Sequence, residues 1–151
     1  MYYAALLIII FITIITIVTS ILFTIAIDNL ARLSTPSNSI NSSILDNVIS
    51  IGSYIVIFLI FLIAVELTIA ILVYYNSKRN TTNNFAYYAS IILAIATIGL
   101  LFLEIYLYNE IKLFNTDSIN SIISDSIDLI FWGIILTLLT LILSFILIFL
   151  V

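Results

Sequence analysis

Four long apolar stretches alternate with three polar connections along this chain. Uncharged sequence runs from Met1 to Ile27, from Asn47 to Val65, from Asn80 to Leu103 and from Leu129 to Val151. Glu66 and Glu104 interrupt the second and third stretches, and apolar sequence continues past both. Each stretch is about 20 residues or more, the length a helix needs to cross roughly 30 Å of hydrocarbon. The runs are rich in Ile, Val and Thr, whose branched Cβ favours strands. Length and the near absence of Gly and Pro predict helices instead. Apolar residues surround each helix rather than lining one stripe, so burial on all sides is expected.

The connections place the helices. Residues 28–47 hold Ser, Asn, Thr and the one proline, Pro36. Residues 75–84 form a short polar turn carrying Lys78 and Arg79 with no acid nearby, and residues 109–128 are again long, Ser-rich and acidic. Four antiparallel helices then put the first and third connections at one end and the second at the other. Within the long connections Ile40, Ile44 and Val48, and likewise Ile119, Ile123 and Ile127, fall at helical spacing. The second helix of each hairpin is therefore expected to begin inside the polar stretch. Ser39 in one copy and Asp117 or Ser118 in the other are the candidate N-caps, with Asp46 and Asp125 on the wet side. For a bilayer protein, the basic turn at Lys78 and Arg79 and both termini are expected on the cytoplasmic side.

Residues 39–51 (SINSSILDNVISI) and 118–130 (SINSIISDSIDLI) agree without a gap at seven of thirteen positions. Asn29, Arg32 and Leu33 match Asn109, Lys112 and Leu113, and Tyr2-Tyr3-Ala4 matches Tyr87-Tyr88-Ala89. Gly52 lies close to the counterpart of Gly133. Three landmarks in one order indicate a tandem duplication, with 1–79 and 80–151 as two helical hairpins of one structural unit. A repeat of two helices keeps both copies pointing the same way. The expected fold class is all-α, a membrane-protein-like bundle of four long hydrophobic helices.

Composition sharpens this. Hydrophobic residues make up 64% and charged residues 8%, against about 45–50% and 25% in soluble domains. Thirty-six residues are isoleucine, and mean hydropathy is +1.37. A small domain cannot hide this much apolar surface alone, so the chain must meet lipid or copies of itself. There is no His or Cys, and the one Met is the first residue. Haem, zinc, copper and iron–sulfur centres therefore lack their usual donors. Three Gly leave no phosphate-cradling loop. A net charge of −4 argues against a broad nucleic-acid footprint. No nucleophile–base, paired-carboxylate or metal-spaced cluster is present. The expectation is a non-enzyme without cofactor, metal or small-molecule substrate.

Glu66 is the sharpest single residue, a carboxyl deep in an apolar segment and by default a functional hypothesis. Its functional reading is a proton carrier, and its structural reading is a neutral side chain hydrogen-bonded to Thr, Ser, Tyr or a backbone carbonyl. The position matching it in the second repeat is Phe145. Glu104, near Tyr106, Tyr108 and Glu110, is expected to snorkel to the polar boundary. Arg32 and Lys112, equivalent in the repeat, are candidates to pair with Asp28 and Glu110. Lys78 and Arg79 are candidates to face phosphates of lipid or of packaged DNA across a lumen, where many copies would sum their charge. Tyrosines cluster at the segment ends, as amphipathic rings do at a polar–apolar boundary.

With its Tyr-Tyr-Ala helix starts and its two Ser-Ile-Asn-Ser connections, the chain resembles the major capsid proteins of large tailed spindle-shaped archaeal viruses, which carry a tandem-duplicated hydrophobic hairpin. The Ile, Asn, Ser and Tyr bias also resembles proteins of thermoacidophilic archaea. That resemblance implies a structural protein of the virion, many copies packing through apolar faces into a shell around DNA. A duplicated rotary-ATPase proteolipid is similar in placing a carboxyl such as Glu66 in a second helix, but residues 2–27 lack the glycines such rings pack through. The remaining alternative is a four-span accessory subunit of an archaeal membrane complex, such as a respiratory oxidase.

Overall fold

The computed structural model describes residues 2–32, 42–79, 84–112 and 121–151. It is all-α, with four helices in chain order: α1 (Tyr2–Arg32), α2 (Ser42–Arg79), α3 (Phe85–Lys112) and α4 (Ser121–Leu150). Each helix packs against its chain neighbours, and α1 also packs extensively against α4. No contact joins the diagonal pairs among the described residues. The result is a closed square of antiparallel helices in which the two hairpins form one bundle.

Both second helices begin within the polar connections, at Ser42 and Ser121, as the periodicity predicts. Asp46 and Asp125 are exposed there while Val48 and Ile123 are buried. The candidate caps Ser39, Asp117 and Ser118 lie outside the described residues. With 38 residues, α2 is about 57 Å long, well beyond the thickness of a hydrocarbon layer.

One spacing organises the interior. On α1 the inward positions include Ala5, Ile9, Ile12, Thr16, Thr19, Phe23, Ala26 and Leu30, with steps alternating between three and four. The same alternation runs from Leu45 to Asn76 on α2, from Ala86 to Ile111 on α3 and from Ile123 to Leu147 on α4. A repeat of 3.5 residues keeps a seam facing its neighbours only if the helices coil left-handedly, as in coiled coils and most four-helix bundles.

The outer surface is far more apolar than that of a water-soluble bundle, and polar side chains are set within a mainly apolar interior. Glu66, Asn76, Ser90, Thr97, Glu104, Ser126, Thr137 and Ser144 all point inward and are buried. Large apolar side chains such as Phe11, Ile57, Phe102 and Phe149 stand exposed on the outside. Burial of each helix on all sides is therefore not achieved by one chain. Only 28–39% of the most apolar window of each helix is covered within the bundle. The uncovered remainder forms an apolar girdle around all four helices.

Close approach explains two glycines. A Cβ on Gly133 would meet the ring of Phe23, and one on Gly52 would meet the end of the Ile27 side chain. Glycine lets a large residue of α1 fill space beside the backbone of α4 or α2. Gly99 is different, since a Cβ there would meet nothing within 4 Å.

Candidate functional site

Two carboxyls sit inside the bundle, each against a threonine of the adjacent helix. Glu66 on α2 is 0% exposed, and its Oε1 lies 2.6 Å from the Thr16 hydroxyl on α1. Glu104 on α3 is also 0% exposed, and its Oε1 lies 2.9 Å from the Thr137 hydroxyl on α4. Each threonine oxygen is also in reach of its own helix: Thr16 of the Ile12 carbonyl at 2.9 Å, and Thr137 of the Gly133 carbonyl at 3.0 Å. A hydroxyl has one hydrogen, so it cannot donate fully to both acceptors. The second oxygen of each carboxyl has no partner among the described residues.

Between these pairs lies a threonine layer. Thr16, Thr19, Thr97, Thr137 and Thr140, with Leu59, Leu62 and Leu100, surround a void of about 10 Å³. That is close to the least space that holds one water. Thr19, Thr97 and Thr140 donate to the carbonyl four residues back, at 2.8, 2.7 and 3.1 Å. Such back-bonding satisfies a hydroxyl without any partner helix, so the layer presents mainly methyl groups to the void.

The expected position of Glu104 is corrected. It does not snorkel to the boundary, because the 3.5-residue seam turns it inward between Leu100 and Leu107. Glu66 accepts from the hydroxyl of Thr16, a partner type named in the sequence reading. The duplication does not relate the two pairs. Phe145, the repeat counterpart of Glu66, is on the outer surface. One carboxyl is on the second helix of its hairpin and the other on the first.

The ends of the bundle carry the charge. At one pole Lys78 Nζ lies 5.5 Å from the Tyr74 ring centre and 3.4 Å from its hydroxyl, and the Arg79 guanidinium lies 5.5 Å from the Tyr75 ring. Both cations occupy the last turn of α2, where they also offset the negative end of the helix dipole. At the other pole Arg32 pairs with Asp28 at 3.1 Å. Lys112 instead rests 4.6 Å from the Tyr108 ring. Glu110 is two positions from Lys112 and so points to a different side of α3.

Aromatic rings mark both boundaries. Tyr3, Tyr74, Tyr75, Tyr87 and Tyr88 are exposed near the basic pole, and Tyr54, Tyr106 and Trp132 near the acidic one. Tyr54 and Tyr74 are 20 residues apart on α2, and Tyr88 and Tyr106 are 18 apart on α3. At 1.5 Å per residue the belts are separated by about 27–30 Å along the helices. No set of three or more metal-ligating side chains occurs among the described residues. No protein-family model, curated protein or solved structure matches this chain.

Proposed function

We propose that this protein is a structural, non-enzymatic four-span membrane subunit that acts by packing against other chains. The observation that carries the reading is the spacing of the aromatic belts. Rings about 27–30 Å apart bracket sequence whose outer face is uncharged, and a hydrocarbon core is about 30 Å thick. The four helices are each long and apolar enough to span. The inward carboxyls and hydroxyls suit the same environment, because only the bundle interior shields them from hydrocarbon. On this reading the positive-inside rule favours the cytoplasmic side for the pole of Lys78 and Arg79.

A second reading is a virion shell of many copies around DNA, and it is supported by the girdle being continuous around all four helices. Such a unit can be walled in by like-oriented copies, their basic poles turned toward a polyanion. The archaeal accessory-subunit and virion settings separate on extraction. A mild non-ionic detergent should release the membrane subunit from isolated membranes, alone or with unlike chains. Release only on disruption of particles composed mainly of this chain would overturn the membrane reading in favour of the shell.

A further inference from the structure

At the basic pole a groove of about 250 Å³ opens between the start of α1 and the end of α2. Buried Val73 and partly buried Leu6 form its apolar wall, exposed Tyr3 and Tyr74 stand at its rim, and Ser77 and Lys78 complete its lining. Polarity therefore changes from apolar to hydroxyl to cationic across one small groove. No acidic side chain occurs in residues 1–27, 67–103 or 129–151. The half of the chain that builds this pole therefore offers Lys78 and Arg79 no side-chain carboxylate. Their aromatic neighbours hold them by cation–π contact, which brings no counter-charge. Exposed Leu7, Ile10 and Ile71 continue the apolar surface from the groove along the same two helices.

We propose that this groove binds one anionic lipid, its phosphate at Lys78 and Ser77 and its hydrocarbon chain along α1 and α2. Tyr3 and Tyr74 lie at the level of the glycerol and headgroup boundary, where amphipathic rings are at home. A nucleic-acid backbone is the poorer fit, because affinity for it comes from several phosphate contacts in series. Here one lysine lines a groove only large enough for a headgroup. The inference rests on the membrane-spanning reading, and it specifies which lipid chemistry that reading brings to which residues.

Native mass spectrometry of the full chain in neutral detergent micelles tests it. Short-chain phosphatidylglycerol, the matching diacylglycerol, inorganic phosphate and a single-stranded oligonucleotide serve as probes. The expected result is one phosphatidylglycerol retained per chain, with affinity falling about fivefold in Lys78→Gln and unchanged in Lys112→Gln at the opposite pole. Ser77→Trp, at a partly buried lining position, should block the groove and abolish retention while helicity by circular dichroism is kept. Equal retention of diacylglycerol, or of phosphatidylglycerol by Lys78→Gln, overturns the proposal. Lys78-dependent binding of the oligonucleotide in preference to the lipid also overturns it and assigns the pole to nucleic acid. Loss of lipid binding would leave the spanning reading intact, since Trp132 quenching in vesicles tests that separately.

Discussion

The hydroxyl of Thr16 on α1 lies 2.6 Å from the carboxyl of Glu66 on α2, at a place neither side chain shares with solvent. The pair joins two helices at mid-bundle, and a chemically similar pair, Thr137 and Glu104, joins the other two. At a site closed to solvent, bulk water does not replace a lost partner. Removing one member should therefore cost more than replacing both. Thr16→Val should destabilise the bundle by about 1–3 kcal/mol, the cost of stranding a buried polar group. The double change Thr16→Val with Glu66→Leu should recover most of that. Glu66→Gln, whose amide oxygen can still accept from Thr16, should fall within about 1 kcal/mol of the parent. Denaturant unfolding in micelles measures all three, and additive losses would show that the pair is not coupled.

Two glycines of the same type should respond in opposite directions. Gly133 faces the Phe23 ring at a distance a Cβ would violate, whereas Gly99 faces open space. Gly133→Ala should cost about 1–3 kcal/mol through overpacking. Gly99→Ala should stabilise α3 by about 0.5–1 kcal/mol. Phe23→Leu should rescue Gly133→Ala in part. Thermal unfolding of the four variants decides this, and equal effects at both glycines would contradict the packing described.

Trp132 reports what the girdle touches. It is the only tryptophan, it is 58% exposed on α4, and it belongs to the belt near the acidic pole. In vesicles its emission should be quenched more by lipids brominated near the headgroup than by those brominated at the chain ends. Absence of quenching by either would mean that protein, and not lipid, covers this face.

The Arg32–Asp28 pair, by contrast, should matter little. Both side chains are well exposed, at 73% and 61%, and such pairs contribute about 0–1 kcal/mol. Arg32→Ala should shift stability by less than about 0.5 kcal/mol, and a larger loss in the same unfolding assay would point to a contact of Arg32 beyond Asp28.

Much of the architecture was legible from residue order alone. The lengths of the apolar runs predict the helices, and Ile40, Ile44 and Val48 predict that α2 starts early. The interior was not read, because hydrophobicity all round a helix says nothing about which side faces in. The usable signal was the rarer polar residues. Ser90, Thr97, Glu104 and Ile111 step by seven, as do Ser126, Gly133, Thr140 and Leu147, and these residues line the seam. Taken singly, Glu104 sits close enough to polar sequence that snorkelling is the natural expectation. Taken with Ser90 and Thr97, it belongs to the core. Thr16 as the partner of Glu66 depends on how α1 and α2 are aligned, which only the packed bundle determines.

The apolar outer surface of the bundle also bears on how its stability should vary with temperature. When a soluble bundle comes apart, water hydrates newly exposed hydrocarbon, and heat capacity rises steeply. On the membrane-spanning proposal, separation of the helices would expose Thr, Ser and Glu side chains to hydrocarbon and bring almost no apolar surface to water. The heat-capacity increment should be small, and the free energy of separation should change almost linearly on heating or cooling. Such a protein would have no cold-denaturation limb, and its cohesion would rest on packing and internal hydrogen bonds, neither of which needs water as the driving solvent.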